Sequence, residues 1–256
     1  MKLLINGVLQ DGLAQLPYSN SLLRGDGLFE TILTIDQQAV AWDMHYARLE
    51  KSAKQIMLTL PARIDLEVGI GKILKNEFGR NRLRLSVLLE GDWFISLEPV
   101  GEVSESISLI KVDAPKISNG LLSGSKTISY GESLLAVRKS KAAGFEDGVF
   151  VNEKGFVVET GLSNILILTN DGWETPALST GCLPGITREL LIKWFNVKES
   201  EFDFEYLLSA QAIYVTSSIK LIQRVDKVGD RLFDESSVGK ELVSQFSSRL
   251  LSKINP

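Results

Sequence analysis

Short apolar runs alternate with polar stretches along the chain, and the spacing of apolar positions separates strands from helices. Strand-like runs are predicted at Leu3–Ile5 and Leu28–Ile35. A helix is predicted over Asp43–Leu58, where Tyr46, Leu49, Ala53 and Ile56 recur on one face and Asp43 stands where an N-cap belongs. A second helix is expected over Asp65–Phe78, closing near Gly79, followed by strands at Leu83–Leu89, Ile95–Leu97 and Ile107–Lys111. The second half alternates the two periods: strands at Gly148–Asn152, Phe156–Glu159, Asn164–Leu168 and Ala212–Thr216, helices at Thr187–Phe195 and Val238–Ser252.

Residues 112–125, VDAPKISNGLLSGS, lack either period and carry Pro115, Gly120 and Gly124. They read as a linker, with the domain boundary near 114–122. The expected organisation is a small N-terminal α+β domain over residues 1–115 and a larger C-terminal domain over 116–256. A mixed or mostly antiparallel sheet suits the second part better than a strict βαβ repeat.

Composition narrows the function. The chain has 256 residues, 44% hydrophobic and 23% charged, the balance of an ordinary globular protein. A formal net charge of −4 argues against a broad nucleic-acid-binding surface. The single cysteine, Cys182, cannot form an internal disulfide and suits a reducing compartment. The apolar start is too short for a secretory core, and no apolar run reaches the roughly 18 residues of a membrane span. A cytoplasmic setting without membrane or nucleic-acid partners is expected. One histidine, His45, and one cysteine exclude the familiar zinc ligand sets, and no metal is expected.

Two motifs invite nucleotide chemistry and fail on spacing. Gly120-Leu-Leu-Ser-Gly-Ser-Lys126-Thr127 resembles a P-loop, but its second glycine comes one residue early and Ser125 intrudes before the lysine. Arg24-Gly25-Asp26-Gly27 is explained by a turn before a strand. Ser129-Tyr-Gly-Glu132 has the S-x-x-E form of a capping box. Thr187, opening an amphipathic run, reads as an N-cap or as part of an anion site at a helix start. Thr216-Ser217-Ser218 presents hydroxyls at a strand end, as a turn or as a second anion contact. Arg48, one turn beyond His45 on the expected polar side of its helix, reads as a solvated arginine or an anion ligand.

In order along the chain stand INGVLQDG, RGDGLFETI, HYARLEKSA, KTISYGESLLAVRKSKAAG, VVETGLSNILIL, CLPGITRELL and YVTSSIKLIQRV. Together they resemble the class IV aminotransferases, the fold type IV pyridoxal-phosphate (PLP) enzymes, over nearly the whole length. The resemblance implies a two-domain α+β or α/β fold like that of D-amino-acid aminotransferase, pyridoxal 5'-phosphate as cofactor, and a homodimer. It identifies Lys126 as similar to the lysine that binds the cofactor as a Schiff base. It identifies Glu159 with the carboxylate on the pyridine nitrogen and Leu183 with the leucine packed on the ring. Arg48, Ile186, Thr187, Ser218 and Ile219 match the phosphate contacts. Ser129 replaces the asparagine usual after the lysine.

Within the family the reaction is less marked. D-amino-acid aminotransferases carry tyrosine at the position of Phe29 and an arginine- or histidine-bearing loop that Leu88–Ile95 lacks. Branched-chain aminotransferases are usually longer and read VFEG where this chain has LFET. The short first domain and RGDGLFET resemble 4-amino-4-deoxychorismate lyases, which release pyruvate and 4-aminobenzoate in folate synthesis. A lyase is therefore expected, with an aminotransferase for branched-chain or D-amino acids as the alternative. A non-catalytic PLP-binding protein is a remote third, since both Lys126 and Glu159 are present. The substrate is a small amine or amino acid. Its pocket is expected to use Phe29, Arg84 and Trp93, with only one of Arg82 and Arg84 pointing inward.

Overall fold

The computed structural model describes residues 1–11, 16 and 18–256. Gly12, the last residue of the INGVLQDG block, lies outside them. The chain forms two compact units. The first comprises Met1–Glu102, Ser125–Tyr130 and Lys253–Pro256; the second comprises Val103–Gly124 and Gly131–Ser252.

The first unit is built from β1 (Lys2–Ile5), β2 (Val8–Leu9), α1 (Asn20–Arg24), β3 (Gly27–Ile35), β4 (Gln38–Ala39), α2 (Trp42–Gln55), α3 (Arg63–Leu74), β5 (Arg80–Leu88) and β6 (Trp93–Pro99). Its strands make one antiparallel sheet in the order β2-β1-β6-β5-β3-β4. Strand side chains alternate between faces, so Leu28 and Ile32 of β3, Leu83 and Leu85 of β5, and Trp93, Ile95 and Leu97 of β6 share a core with Leu49, Ala53, Leu66, Ile70 and Ile73 of α2 and α3.

Asp43 is not the N-cap of α2. That place falls to Ala41, in the left-handed region with φ 53° and no capping side chain. The end is closed instead by the chain's last residues: Ala41 N–H donates to the Ile254 carbonyl at 2.7 Å, and Asn255 bonds both the amide and the carboxylate of Asp43. No sequence signal near residue 43 reports this, because the partner is about two hundred residues away.

α2 is also tied to β3 through charge. Glu30 is buried among the core side chains, where its carboxylate accepts from Arg48 Nε at 2.9 Å, from Arg48 Nη2, and faces His45 Nδ1 at 2.6 Å. Arg48 is therefore 8% exposed, not on a solvated face. Burial opposes the charge on Glu30, but Arg48 and His45 outweigh it and hold the carboxyl down at about 2. The His45 pKa is also lowered, chiefly by burial and despite Glu30, so its ring stays neutral and donates from Nδ1.

The second unit holds β7 (Ser106–Lys111), α4 (Gly131–Ala142), β8 (Asp147–Val151), β9 (Val157–Thr160), β10 (Asn164–Thr169), β11 (Gly172–Pro176), α5 (Ile186–Phe195), β12 (Lys198–Ser200), α6 (Phe204–Ser209), β13 (Ala212–Ser217), β14 (Leu221–Val228), β15 (Arg231–Leu232) and α7 (Ser237–Ser252). Its nine-stranded sheet runs β12-β11-β10-β13-β14-β7-β8-β9, with β15 on β14. The sheet is mixed: β7 lies parallel to both neighbours and β11 parallel to β12, the rest antiparallel.

The partition differs from a single cut at 115/116. Ser106–Lys111 is an inner strand of the second sheet, so the first crossing comes at Glu102/Val103. Ser125–Tyr130 then returns to the first unit, because Thr127 pairs with Leu28 on the part of β3 that β4 leaves open. Lys126 thus belongs to the first unit, not to the C-terminal domain expected to hold it.

A carboxyl held low in the folded state contributes stability that is complete above its ordinary pKa and disappears as pH falls through the folded value. For Glu30 that window runs from 4.5 down to about 2. Glu30→Gln leaves a buried arginine without its counter-charge and is expected to cost about 3–5 kcal/mol at neutral pH. In urea unfolding, the gap between wild type and variant should narrow across that acid window; a gap constant with pH would contradict the ion pair.

Candidate active site

In the first unit, backbone pairing fixes Lys126. Its carbonyl accepts from Phe29 N–H at 2.9 Å, and Ile128 N–H donates to the Gly27 carbonyl at 3.0 Å. Gly27 sits where a Cβ would lie 2.4 Å from the Val87 carbonyl, so a side chain there would push β3 from β5. Gly25 has φ 70° and ends α1. Ser129 does not cap a helix: its hydroxyl donates to the Gly25 carbonyl at 2.7 Å, which holds the 125–130 segment against the turn before β3.

This pairing puts the half-buried Lys126 on the sheet face opposite the core. Its Nζ lies 4.4 Å from the ring centre of Phe29 and 5.3 Å from that of Tyr130. The two rings meet edge-on at 5.2 Å. Arg84 reaches the same ring, with Cζ 3.7 Å from the Phe29 centre, close enough for a cation–π contact. Burial pulls the Arg84 guanidinium below its ordinary pKa, yet an arginine stays charged. Arg82 and Arg84 do not divide between faces. Two residues apart on β5, they share one, and Arg82 extends to Glu98 at 2.6 Å. Trp93, in contrast, belongs to the helix-covered core, where a Cβ on Gly69 of α3 would meet its ring at 2.7 Å. It is a core residue, not a neighbour of Phe29 and Arg84.

In the second unit, Glu159 at the end of β9 is 8% exposed. One carboxylate oxygen, Oε2, accepts from Leu183 N–H at 3.0 Å and Asn164 Nδ2 at 3.2 Å; the other, Oε1, is paired with Lys116. The Asn164 amide also donates to the Leu183 carbonyl at 2.9 Å. Asn164 thereby ties the carboxylate to the Leu183-Pro184-Gly185 turn that leads into α5. A Cβ at Gly185 would fall 1.9 Å from Asn164 Oδ1, so this position admits only glycine.

The loop between β9 and β10 is pinned by the buried Asp147, whose oxygens accept from the amides of Gly148, Gly161 and Leu162. Burial pushes the Asp147 carboxyl up even so. Cys182 lies nearby, buried, and burial together with Glu159 raises its thiol to about 11. It is no nucleophile at neutral pH.

α5 begins with Gly185 as N-cap, which brings no capping side chain; Thr187 lies inside the first turn and is not the cap. The first N–H groups of a helix have no intrahelical acceptor, so Ile186 and Thr187 present amides suited to an anion. At the end of β13, the Thr216 hydroxyl is buried with no hydrogen-bond partner, immediately before Ser217, Ser218 and Ile219. Ser125, beside Lys126, has an equally orphaned buried hydroxyl. Within the second unit, the orphaned Thr216 hydroxyl before the Ser217-Ser218 turn and the free amides that open α5 suit a phosphate-bearing cofactor. Among the described residues no group of three or more His, Cys, Asp or Glu side chains could hold a metal ion, and no helix is long and apolar enough to cross a membrane.

Lys116, Asn164, Glu30 and Tyr130 escaped the sequence reading. Asn164 and Glu30 stand inside recognisable blocks, ETGLSN and LFET; nothing in the linker marks Lys116.

The family model for class IV amino-transferases matches residues 27–228. The bifunctional aminodeoxychorismate lyase / D-amino acid transaminase of Mycobacterium tuberculosis is 26% identical, over 96% of this chain and 96% of its own. The aminodeoxychorismate lyase of Bacillus subtilis is 28% identical over 79% of this chain and 78% of its own. The fold also matches the crystal structure of a branched-chain aminotransferase from Thermoproteus uzoniensis, with TM-score 0.90, 23% identity and coverage of 99% of this chain and 95% of that one. Solved structures of the same fold include a PLP-bound form. With the match spanning most of the chain, the protein belongs to the class IV aminotransferases, enzymes that work with pyridoxal phosphate.

Proposed function

We propose that the protein is a 4-amino-4-deoxychorismate lyase, releasing pyruvate from its substrate to leave 4-aminobenzoate. The observation that carries this reading is the group on the open face of the first sheet: Phe29, Tyr130 and the Arg84 guanidinium around Lys126. An unsaturated ring bearing carboxylates suits an aromatic wall with a cation stacked on it. The lyases among the relatives support the same choice.

In this reading Lys126 binds the cofactor covalently, Glu159 holds its ring nitrogen, and Leu183 covers one ring face. Arg48, Ile186, Thr187, Ser218 and Ile219 hold the phosphate. When bound, pyridoxal phosphate supplies an electron sink for the bond broken in the substrate. Arg84 orients the substrate through a carboxylate. The Lys126 amine would carry the proton between substrate atoms. Phe29 and Tyr130 wall the space around that amine.

The second reading is an aminotransferase for branched-chain or D-amino acids with 2-oxoglutarate, favoured by the likeness to the branched-chain enzyme's fold. A cytoplasmic homodimer is proposed for either reading.

Three outcomes are expected. The purified protein should be yellow, and Lys126→Ala should lose the visible band; an unchanged band in the variant would remove Lys126 from the chemistry. Aminodeoxychorismate should yield 4-aminobenzoate, and turnover confined to amino-acid donors with 2-oxoglutarate would reject the lyase in favour of the aminotransferase. Gly185→Ala, with its Cβ driven into Asn164, should weaken pyridoxal-phosphate binding about tenfold or more, a loss of about 1.4 kcal/mol. Wild-type affinity in an absorbance titration would show that the α5 start does not hold the phosphate.

A further inference from the structure

Among the described residues, Lys116 is the one charged side chain in an ion pair with Glu159. Its position is built. Its amide donates to the Val151 carbonyl at 2.9 Å, the residue pairs with Asn152 in parallel, and its Nζ stands 5.5 Å from the Phe150 ring centre. The ammonium is largely buried, with the side chain 20% exposed. Lysine is rarely buried without a purpose that offsets the cost, and the carboxylate it meets is the one read above as the partner of the cofactor's ring nitrogen.

A carboxylate has about four lone-pair sites. Leu183 N–H and Asn164 Nδ2 take both sites of Glu159 Oε2, and Lys116 takes one of Oε1. One site remains, on the oxygen that already carries the ammonium. A ring nitrogen bound there shares Oε1 with a fixed cation.

We propose that Lys116 is a positioning residue that shares Glu159 Oε1 with the cofactor's ring nitrogen and weakens that carboxylate's electrostatic hold on the ring. This deepens the assignment of Glu159 to the ring nitrogen and rests on it. The physical consequence is a local positive charge that opposes any further positive charge on the bound cofactor. Removing it makes protonation of the cofactor–lysine linkage easier, so the pH at which the visible band converts to its deprotonated form rises.

The test is a spectrophotometric pH titration of the PLP-loaded wild type, K116Q, K116M, K116R and E159Q, with a thermal melt of each. K116Q keeps an N–H donor at Glu159 and drops only the charge; K116M removes both. Each should raise the midpoint by on the order of one pH unit, K116R should return it to the wild-type value, and E159Q should move it downward. A lower melting temperature for K116Q and K116M with an unmoved midpoint would make Lys116 a structural staple and overturn the proposal, provided E159Q is displaced. An E159Q midpoint equal to wild type would instead remove Glu159 from the ring nitrogen, which is the failure of the underlying reading.

Discussion

A carboxylate buried against apolar side chains persists only while N–H donors surround it, and Glu159 draws its donors from three separated stretches of chain. Lys116 comes from the segment after β7, Asn164 from the start of β10, and Leu183 from the turn before α5. Satisfying one charge therefore fixes three loops at once. The same Asn164 leaves no room for a side chain at Gly185, so the helix start, whose free amides suit an anion, is set by the carboxylate's own hydrogen bonds. Asp147 repeats the device, gathering the amides of Gly161 and Leu162 so that the β9–β10 loop is held in place.

The first unit uses a second buried carboxylate to different effect. Glu30 locks α2 to β3 through Arg48 and His45, and the opposite alternation of β3 turns Phe29 to the other face. The register that buries Leu28, Glu30 and Ile32 is thus the register that exposes Phe29 to Lys126 and Arg84. A slip of one residue would exchange the two faces and lose both. Pairing of Thr127 with Leu28 carries this register into the lysine's own segment.

Elements with a strong local period were legible in the sequence: the runs Leu28–Ile35 and Val238–Ser252 fall in Gly27–Ile35 and Ser237–Ser252 to within a residue, while Leu83–Leu89 marks the strand Arg80–Leu88 but misses its polar first residues. What misled were signals satisfied from far away. Asp43 looks like a cap, but α2 is closed by Asn255; Ser129 looks like half of a capping box, but it bonds Gly25; Arg48 looks solvated, but Glu30 buries it. Trp93 and Arg84 stand on neighbouring strands and look alike as pocket candidates, and only the sheet's register separates core from open face. Lys126 was marked by its family block, whereas Lys116 was not, because a lysine in an aperiodic stretch carries no sign of the carboxylate it will meet.

The central claim is that Lys126 binds the cofactor covalently. Reducing the loaded protein with borohydride converts the carbon–nitrogen double bond to a stable secondary amine, and peptide mapping then locates the modified lysine. A single phosphopyridoxyl group on Lys126 is the expected result. Modification of Lys116 or another lysine, or none after loading, would contradict it.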